Sequence, residues 1–344
     1  MDISKDIYIT KDINCVLSSI IDSYDQVVVI VDENTKQYCL PKIEILHGMQ
    51  LIEIRSGERN KNITTCNFIW QRMTDYHLTR KSVIINLGGG VIGDMGGFVA
   101  STYKRGIDFI NIPTTLLAQV DASVGGKLGV DFKGLKNHIG IFKNPKNIII
   151  NTDFIVTLPK RELRSGYAEV IKHGAIYDDK YWDGIRSTPY DQKIDWQDIV
   201  KRSIAIKEDV VRRDPTEKGL RKILNFGHTV GHAIETKLMG TKDHLLHGEA
   251  IAIGMIIEGH ISHQLSGLPI SELFMLTNYI VDNFGFMEIP SLELLMPLIR
   301  HDKKNEGNGT YFSLLNRIGS GSWNWLVTEG QLTSAVKFYY SLNK

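Results

Sequence analysis

The sequence predicts an α/β chain: an N-terminal Rossmann-like parallel sheet suited to a nucleotide, followed by a mostly α-helical part suited to a metal and a substrate. Three observations predict it. Short β-branched runs alternate with helical patterns over the first 150 or so residues. A glycine-rich turn, Gly88-Gly89-Gly90-Val91-Ile92-Gly93-Asp94, follows one of those runs. Beyond that region, long helical stretches replace the strands. Continuous apolar strands separated by helices are the pattern of a parallel sheet covered on both faces.

The elements follow in order. Val27 to Val31 is a run of Val and Ile that closes on Asp32, and reads as a strand. Leu51 to Ile54, Val83 to Leu87, Phe109 to Ile112 and Asn147 to Ile150 read the same way. The pattern then changes to helices over roughly 160–178, 195–213, 219–238, 247–266 and 271–285, punctuated by prolines such as Pro159, Pro215, Pro269 and Pro290. Thr310 to Leu315 looks like a late strand. The expected domains are 1–155, for the nucleotide, and 156–344, for metal and substrate.

A chain of 344 residues exceeds what one hydrophobic core usually holds, which supports two domains. The 40 basic residues against 39 acidic ones give a net charge of +1, so a general nucleic-acid binder is not expected. Cys15, Cys39 and Cys66 form neither a disulfide framework nor a CxxC site, and fit a reducing, cytoplasmic compartment. The charged N-terminus has no apolar core of a secretory signal. The longest apolar run, Ile251 to Ile257, is far short of the ~20 residues a membrane helix needs.

Three constellations carry chemistry. Gly88, Gly90 and Gly93 satisfy GxGxxG, and such a turn lets backbone amides at a helix start approach a pyrophosphate. The same glycines would also serve a tight turn that binds nothing. The turn follows a later strand than in the usual Rossmann arrangement, so a related nucleotide fold is expected. Asp32 is placed either for ribose hydroxyls or as an ordinary strand-end aspartate. Glu58 and Lys61 sit in a second loop.

The second constellation is Asn225-Phe-Gly-His228-Thr-Val-Gly-His232, with His247-Gly-Glu249 beyond it. His228 and His232 are four apart and share one helical face. His247 offers another imidazole, and Glu169 a carboxylate. Two histidines and one glutamate with an open position match a catalytic zinc rather than a closed structural one. The third is a set of cations: Lys127 beside Gly125 and Gly126, then Lys136, Lys172, Lys207, Arg221 and Arg105. Converging, they would hold a phosphorylated, acidic small molecule. Apart, they are solvated surface charges.

Taken together, GGGVIGD at 88–94, PTTLLAQVDASVGGK at 113–127, LKNHIG at 135–140, AEVIKHG at 168–174, NFGHTVGHAIE at 225–235, LHGEAIAIGM at 246–255 and HDKKNEG at 301–307 resemble 3-dehydroquinate synthase. The motifs run in order from about Asp32 to Gly307. That family belongs to the sugar phosphate cyclases and shares its fold with glycerol dehydrogenases and iron-dependent alcohol dehydrogenases. The resemblance implies Zn2+, with Co2+ as an alternative, held by Glu169, His228 and His247. His232 then becomes a hydrogen-bonding group. His244 is set aside because the LHGE context selects His247, and His260 and His263 are expected at the surface.

The resemblance further implies NAD held by Asp32, Asn34, Glu58 and Lys61, by Gly89, Gly90, Val91 and Asp94, and by Thr114, Thr115, Asp121, Phe154 and Thr157. Lys127 and Lys136 would stand where nucleotide and substrate meet. The substrate groups would be Asp121, Lys127, Asn137, Lys172, Lys207, Arg221, Asn225 and His232, with Lys303 or Lys304 on phosphate. Arg105 would reach the substrate phosphate of a neighbouring subunit, implying a homodimer. Two departures stand out: Leu128, where the family usually has a small or hydroxylated residue, and a longer stretch between Glu235 and His247.

The implied substrate is 3-deoxy-D-arabino-heptulosonate 7-phosphate and the implied products are 3-dehydroquinate and phosphate. Transient oxidation at C5 by NAD acidifies C6, phosphate leaves, hydride returns, the ring opens, and an intramolecular aldol step closes the carbocycle. A polyol dehydrogenase of the same fold would need no phosphate cluster. Another sugar phosphate cyclase would differ around the substrate carboxylate and hydroxyls.

Overall fold

A computed structural model describes residues 6–188, 194–300 and 310–343. The chain forms two compact units: Met1–Leu163 with Trp196–Ile204, and Arg164–Asp195 with Ala205–Lys344.

The first unit is built on a six-stranded sheet. In chain order its elements are β1 (Ile7–Ile9), α1 (Ile13–Ile21), β2 (Gln26–Asp32), α2 (Glu33–Tyr38), β3 (Gln50–Ile54), α3 (Ile63–Asp75), β4 (Ser82–Gly88), α4 (Gly90–Thr102) and β5 (Asp108–Pro113). A hairpin, β6 (Lys127–Phe132) and β7 (Leu135–Phe142), precedes β8 (Asn147–Ile150). The sheet order is β1-β8-β5-β4-β2-β3, every pair parallel. Both faces are buried, as continuous apolar strands require. Val28 and Ile30 face a cluster with Cys66 and Ile69 of α3 and Val99 of α4. Val29 and Val31 face the opposite cluster, with Ile13 and Leu17 of α1.

The five expected strands are all present. The sequence reading missed two things. β1 is Ile-Tyr-Ile, a run of only three residues and too short to read as a strand. The β6–β7 hairpin hides in a stretch of glycines and lysines, and its β7 strand is largely exposed or half-buried. Leu128 begins to explain itself here. A Cβ on Gly97 of α4 would fall 2.5 Å from Leu128 Cδ2, so the leucine fills the space that the glycine leaves.

The second unit is helical. It holds most of α5 (Lys160–Tyr177), then α6 (Asp179–Ser187), the later part of α7 (Trp196–Arg213), α8 (His228–Leu238), α9 (His247–Leu265), α10 (Ile270–Phe284) and α11 (Leu292–Arg300). An antiparallel pair, β9 (Tyr311–Arg317) and β10 (Ser320–Leu326), and a last helix α12 (Glu329–Ser341) complete it. One expectation is corrected. The helix anticipated over 219–238 is broken into a 3-10 segment, Leu220–Asn225, and α8. Gly227 stands between them at φ +80°, a left-handed value that ends one helix and starts another. His263 is exposed, but His260 is half-buried and stacks on Phe338 with ring centroids 4.6 Å apart.

Candidate active site

The first unit carries an anion-binding turn. From β2 the chain runs to β3 on one side and returns to β4 on the other. The carboxyl ends of β2 and β4 are therefore a topological switch point, where open parallel sheets bind ligands. Gly88, Gly89, Gly90, Gly93 and Asp94 line a crevice there with Asn86 and Asn111. No side chain caps the start of α4, whose N-cap is Gly89, so its first amides suit a phosphate. Thr114 N donates to Gly88 O at 3.1 Å. A Cβ on Gly89 would lie 3.0 Å from Thr115 Cγ2, so both threonines border the turn.

Charged groups of the second loop join it. Lys61 is 3% exposed and its Nζ lies 2.5 Å from Asp94 Oδ2. Burial opposes the lysine charge, but Asp94 first, then Glu58, hold its pKa above the ordinary lysine value. Lys136 Nζ lies 3.3 Å from Glu58 Oε1. Asn137, in the left-handed region at φ +47°, donates its backbone N–H to Asp131 Oδ1 at 2.8 Å.

Other expected nucleotide residues have local structural duties. Asp32 Oδ1 accepts from Thr35 N at 2.7 Å and caps α2, where Asn34 is exposed. The Phe154 ring lies in the core and its carbonyl accepts from Thr157 Oγ1 at 2.7 Å. Asp121 sits in a π-helical turn, Ala118–Ala122. Val91 is half-buried in the first turn of α4. Lys127 is exposed at the start of β6, and Arg105 is exposed at φ +69°.

The second unit gathers the histidines. His228 is the first residue of α8 and His247 the first of α9. Glu169, fully buried in α5, places Oε1 3.5 Å from His228 Nε2 and 3.6 Å from His247 Nε2. Ligands about 2.1 Å from a tetrahedral ion are about 3.4 Å apart, so this spacing fits one carboxylate and two imidazoles on a zinc-like ion. His232 brings a third imidazole, and nitrogens of His228, His232 and His247 lie within 4.8 Å of one another. Lys172, buried one turn after Glu169, pairs with Glu169 Oε2.

Several carboxylates hold this arrangement, and the sequence reading assigned none of them. Glu235 Oε2 lies 3.1 Å from His247 Nδ1. Burial works against a charged imidazole at His247, yet Glu235 and then Glu169 overcome it and lift the pKa to about 9. That local excess of negative charge suits a cation. Glu249 Oε2 accepts from Leu246 N at 2.8 Å at the start of α9, and its Oε1 accepts from Arg164 at 3.0 Å. Gly248 lets α9 press on α5: its N–H donates to Ser165 Oγ at 2.9 Å, and a Cβ would meet Ser165 O at 1.8 Å. Glu258 of α9, fully buried, accepts from the amides of Gly227 and Val230 at 2.6 and 3.0 Å. The usable sequence signal was spacing. Glu235 follows His228 by seven residues and Glu258 follows His247 by eleven, whole turns on a helix.

Of the expected substrate cations in this unit, Lys207 of α7 and Arg221 are buried. Arg221 donates to Pro215 O at 2.8 Å, and its own N–H is accepted by Asp214 Oδ2 at 3.0 Å. Asn225 Nδ2 donates to Glu217 Oε1 at 2.7 Å, a carboxylate the sequence reading also passed over. Lys303 and Lys304 lie outside the described residues.

Two family models match in succession: 3-dehydroquinate synthase N-terminal over residues 51–165, and 3-dehydroquinate synthase C-terminal over residues 166–305. A 3-dehydroquinate synthase of Parabacteroides distasonis is 39% identical, over 97% of this chain and 97% of its own. Another, from Alkaliphilus metalliredigens, is 41% identical over 97% of this chain and 96% of its own. Among solved structures, a 2-epi-5-epi-valiolone synthase from Streptomyces hygroscopicus subsp. jinggangensis with NAD+ and Zn2+ bound superposes with a TM-score of 0.88. It is 23% identical and covers 98% of this chain and 97% of its own, a likeness of fold.

Proposed function

The chain belongs to the 3-dehydroquinate synthase family, and from that premise we propose that it converts 3-deoxy-D-arabino-heptulosonate 7-phosphate to 3-dehydroquinate and phosphate in the shikimate pathway. The observation that carries the reading is Glu169 at 3.5 and 3.6 Å from the Nε2 atoms of His228 and His247. The proposed cofactors are NAD and Zn2+, with Co2+ as an alternative metal. When bound, NAD supplies a hydride acceptor that becomes the donor again, and the metal polarises vicinal hydroxyl oxygens. Substrate and products contain the same atoms, so NAD is needed only in catalytic amounts.

The chain's own residues then divide the work. Glu169, His228 and His247 hold the metal. His232 moves the proton of the C5 hydroxyl, and Asn225 orients it. Lys127, Asn137, Lys172, Lys207 and Arg221 bind the substrate's phosphate and carboxylate and neutralise the leaving group. The turn at Gly89, Gly90 and Val91, with Asp94, Thr114 and Thr115, takes the pyrophosphate side of NAD. Asp32, Asn34, Glu58, Lys61, Asp121, Lys136, Phe154 and Thr157 surround the rest. We assign the nucleotide to residues 1–155 and metal and substrate to 156–344. The sheet lying wholly before residue 151 supports that division.

The enzyme is proposed to be a cytoplasmic homodimer in which Arg105 reaches the phosphate bound by a second copy. The exposure of Arg105 fits such a reach. Among the described residues no helix is long and apolar enough to cross a membrane. The test is phosphate release from heptulosonate phosphate with zinc and substoichiometric NAD, with the product identified by mass. Many turnovers per NAD are expected. Steady NADH accumulation on glycerol without phosphate release would make the protein a polyol dehydrogenase instead.

A further inference from the structure

We infer that Glu235 and Glu258 are positioning residues of the metal site, each carried by one of two helices and each holding the histidine of the other. α8 supplies His228 and Glu235; α9 supplies His247 and Glu258. The inference rests on the metal assignment above, and adds two residues that touch neither metal nor substrate.

The two carboxylates act differently. Glu235 works on a ring. Its Oε2 lies 3.1 Å from His247 Nδ1, which leaves Nε2 of that imidazole facing Glu169 at 3.6 Å. A carboxylate on the far nitrogen of a ligating histidine fixes the tautomer and the ring direction. Glu258 works on backbone. It accepts from Gly227 N at 2.6 Å and Val230 N at 3.0 Å, either side of His228. The His228 ring is in turn set by that backbone, because Nδ1 lies 3.1 Å from Phe226 O.

Glu258 does a task that position 227 cannot. The N-cap of α8 is glycine at φ +80°. A Cβ there would lie 2.6 Å from Met255 Cγ and 3.0 Å from Ile251 O, so no serine or aspartate fits. The cap has to come from the neighbouring helix. Both oxygens of Glu258 are used, Oε2 by Gly227 and Oε1 by Val230, and a neutral amide with one acceptor oxygen could not take both bonds. The start of α8 carries a partial positive charge of about half a unit, beside the place a dication would occupy. Glu258 offsets it.

The test uses the full chain with Zn2+ or Co2+ as the probe. Zinc affinity is read by chelator competition, the Co2+ site by its visible absorption, and the fold by circular dichroism. E235Q and E258Q should keep the fold, bind zinc about 10- to 100-fold more weakly, and change the Co2+ spectrum. Both variants holding zinc within twofold of the parent, with the same Co2+ spectrum and only a lower Tm, would overturn the inference. Should E258Q not fold, amide exchange in the unaltered protein decides: zinc should raise protection at Gly227 and Val230, and unchanged protection rejects the role of Glu258. The underlying metal reading fails separately, if H228A and E169A bind zinc as the parent does.

Discussion

Gly227 and Gly254 bring α8 and α9 into backbone contact: a Cβ on Gly254 would fall 1.9 Å from Gly227 O. The neighbour is a carbonyl in a helix junction, not the end of a flexible side chain, so it cannot move aside cheaply. We predict that Gly254→Ala destabilises the protein by about 3 kcal/mol or more. The cost should appear as a lower midpoint in urea unfolding, with a lower zinc content, because His228 and His247 begin the two helices that are pushed apart. A midpoint equal to the parent's would refute the contact.

His232 separates two readings of the histidine cluster, since one of its nitrogens also lies within 4.8 Å of the others. His232→Ala should retain one metal per chain while turnover drops about 10²- to 10⁴-fold, the range expected for a general acid–base group. Glu169→Ala, His228→Ala and His247→Ala should each lose the metal. Metal analysis after gel filtration distinguishes them, and metal loss in His232→Ala would move that residue into the ligand set.

Asp94 faces the buried Lys61 at 2.5 Å. Asp94→Ala leaves the ammonium buried with less compensation, and should cost about 3 kcal/mol, at the low end for a broken buried pair because Glu58 also acts on Lys61. NAD affinity, measured by calorimetry, should fall with it. Unchanged stability would show that Lys61 moves to solvent.

The cysteines report on packing. Burial lifts the Cys39 thiol to about 11 and the Cys66 thiol to about 12, while Cys15 is exposed. At pH 8 roughly 0.1% or less of either buried thiol is ionised, so only Cys15 should react quickly with a disulfide reagent. Three equivalents should react in denaturant. Rapid reaction of more than one thiol in the native protein would contradict the burial of Cys39 and Cys66.

Chelation should remove activity and leave the fold. The helices that carry Glu169, His228 and His247 also pack through apolar residues such as Ile171, Val230 and Ile251. Dialysis against a chelator should therefore keep the far-UV spectrum, abolish phosphate release, and be reversed by Zn2+ or Co2+. Loss of helix content on chelation would make the metal a folding element.

Periodicity was readable wherever burial is continuous. Val27 to Val31 and Val83 to Leu87 lie between two apolar layers, so all but the buried Asn86 are apolar and the strands declare themselves. β1 is apolar but only three residues long, and β7 is exposed or half-buried throughout, which removes the pattern that reading depends on. The break at Gly227 was hidden because one left-handed residue leaves helical periodicity on both sides of it.

The sequence by itself determined the class of fold, the family, and the residue types able to hold a metal, an anion and a nucleotide, because those follow from composition, spacing and local backbone rules. Tertiary structure alone decided which groups meet. Glu169 reaches His228 and His247 across 59 and 78 residues of chain, and Glu258 caps a helix whose own N-cap has no side chain. Such pairings depend on how closely two helices approach, here set by glycines at 227, 248 and 254, and close approach is a property of both surfaces together.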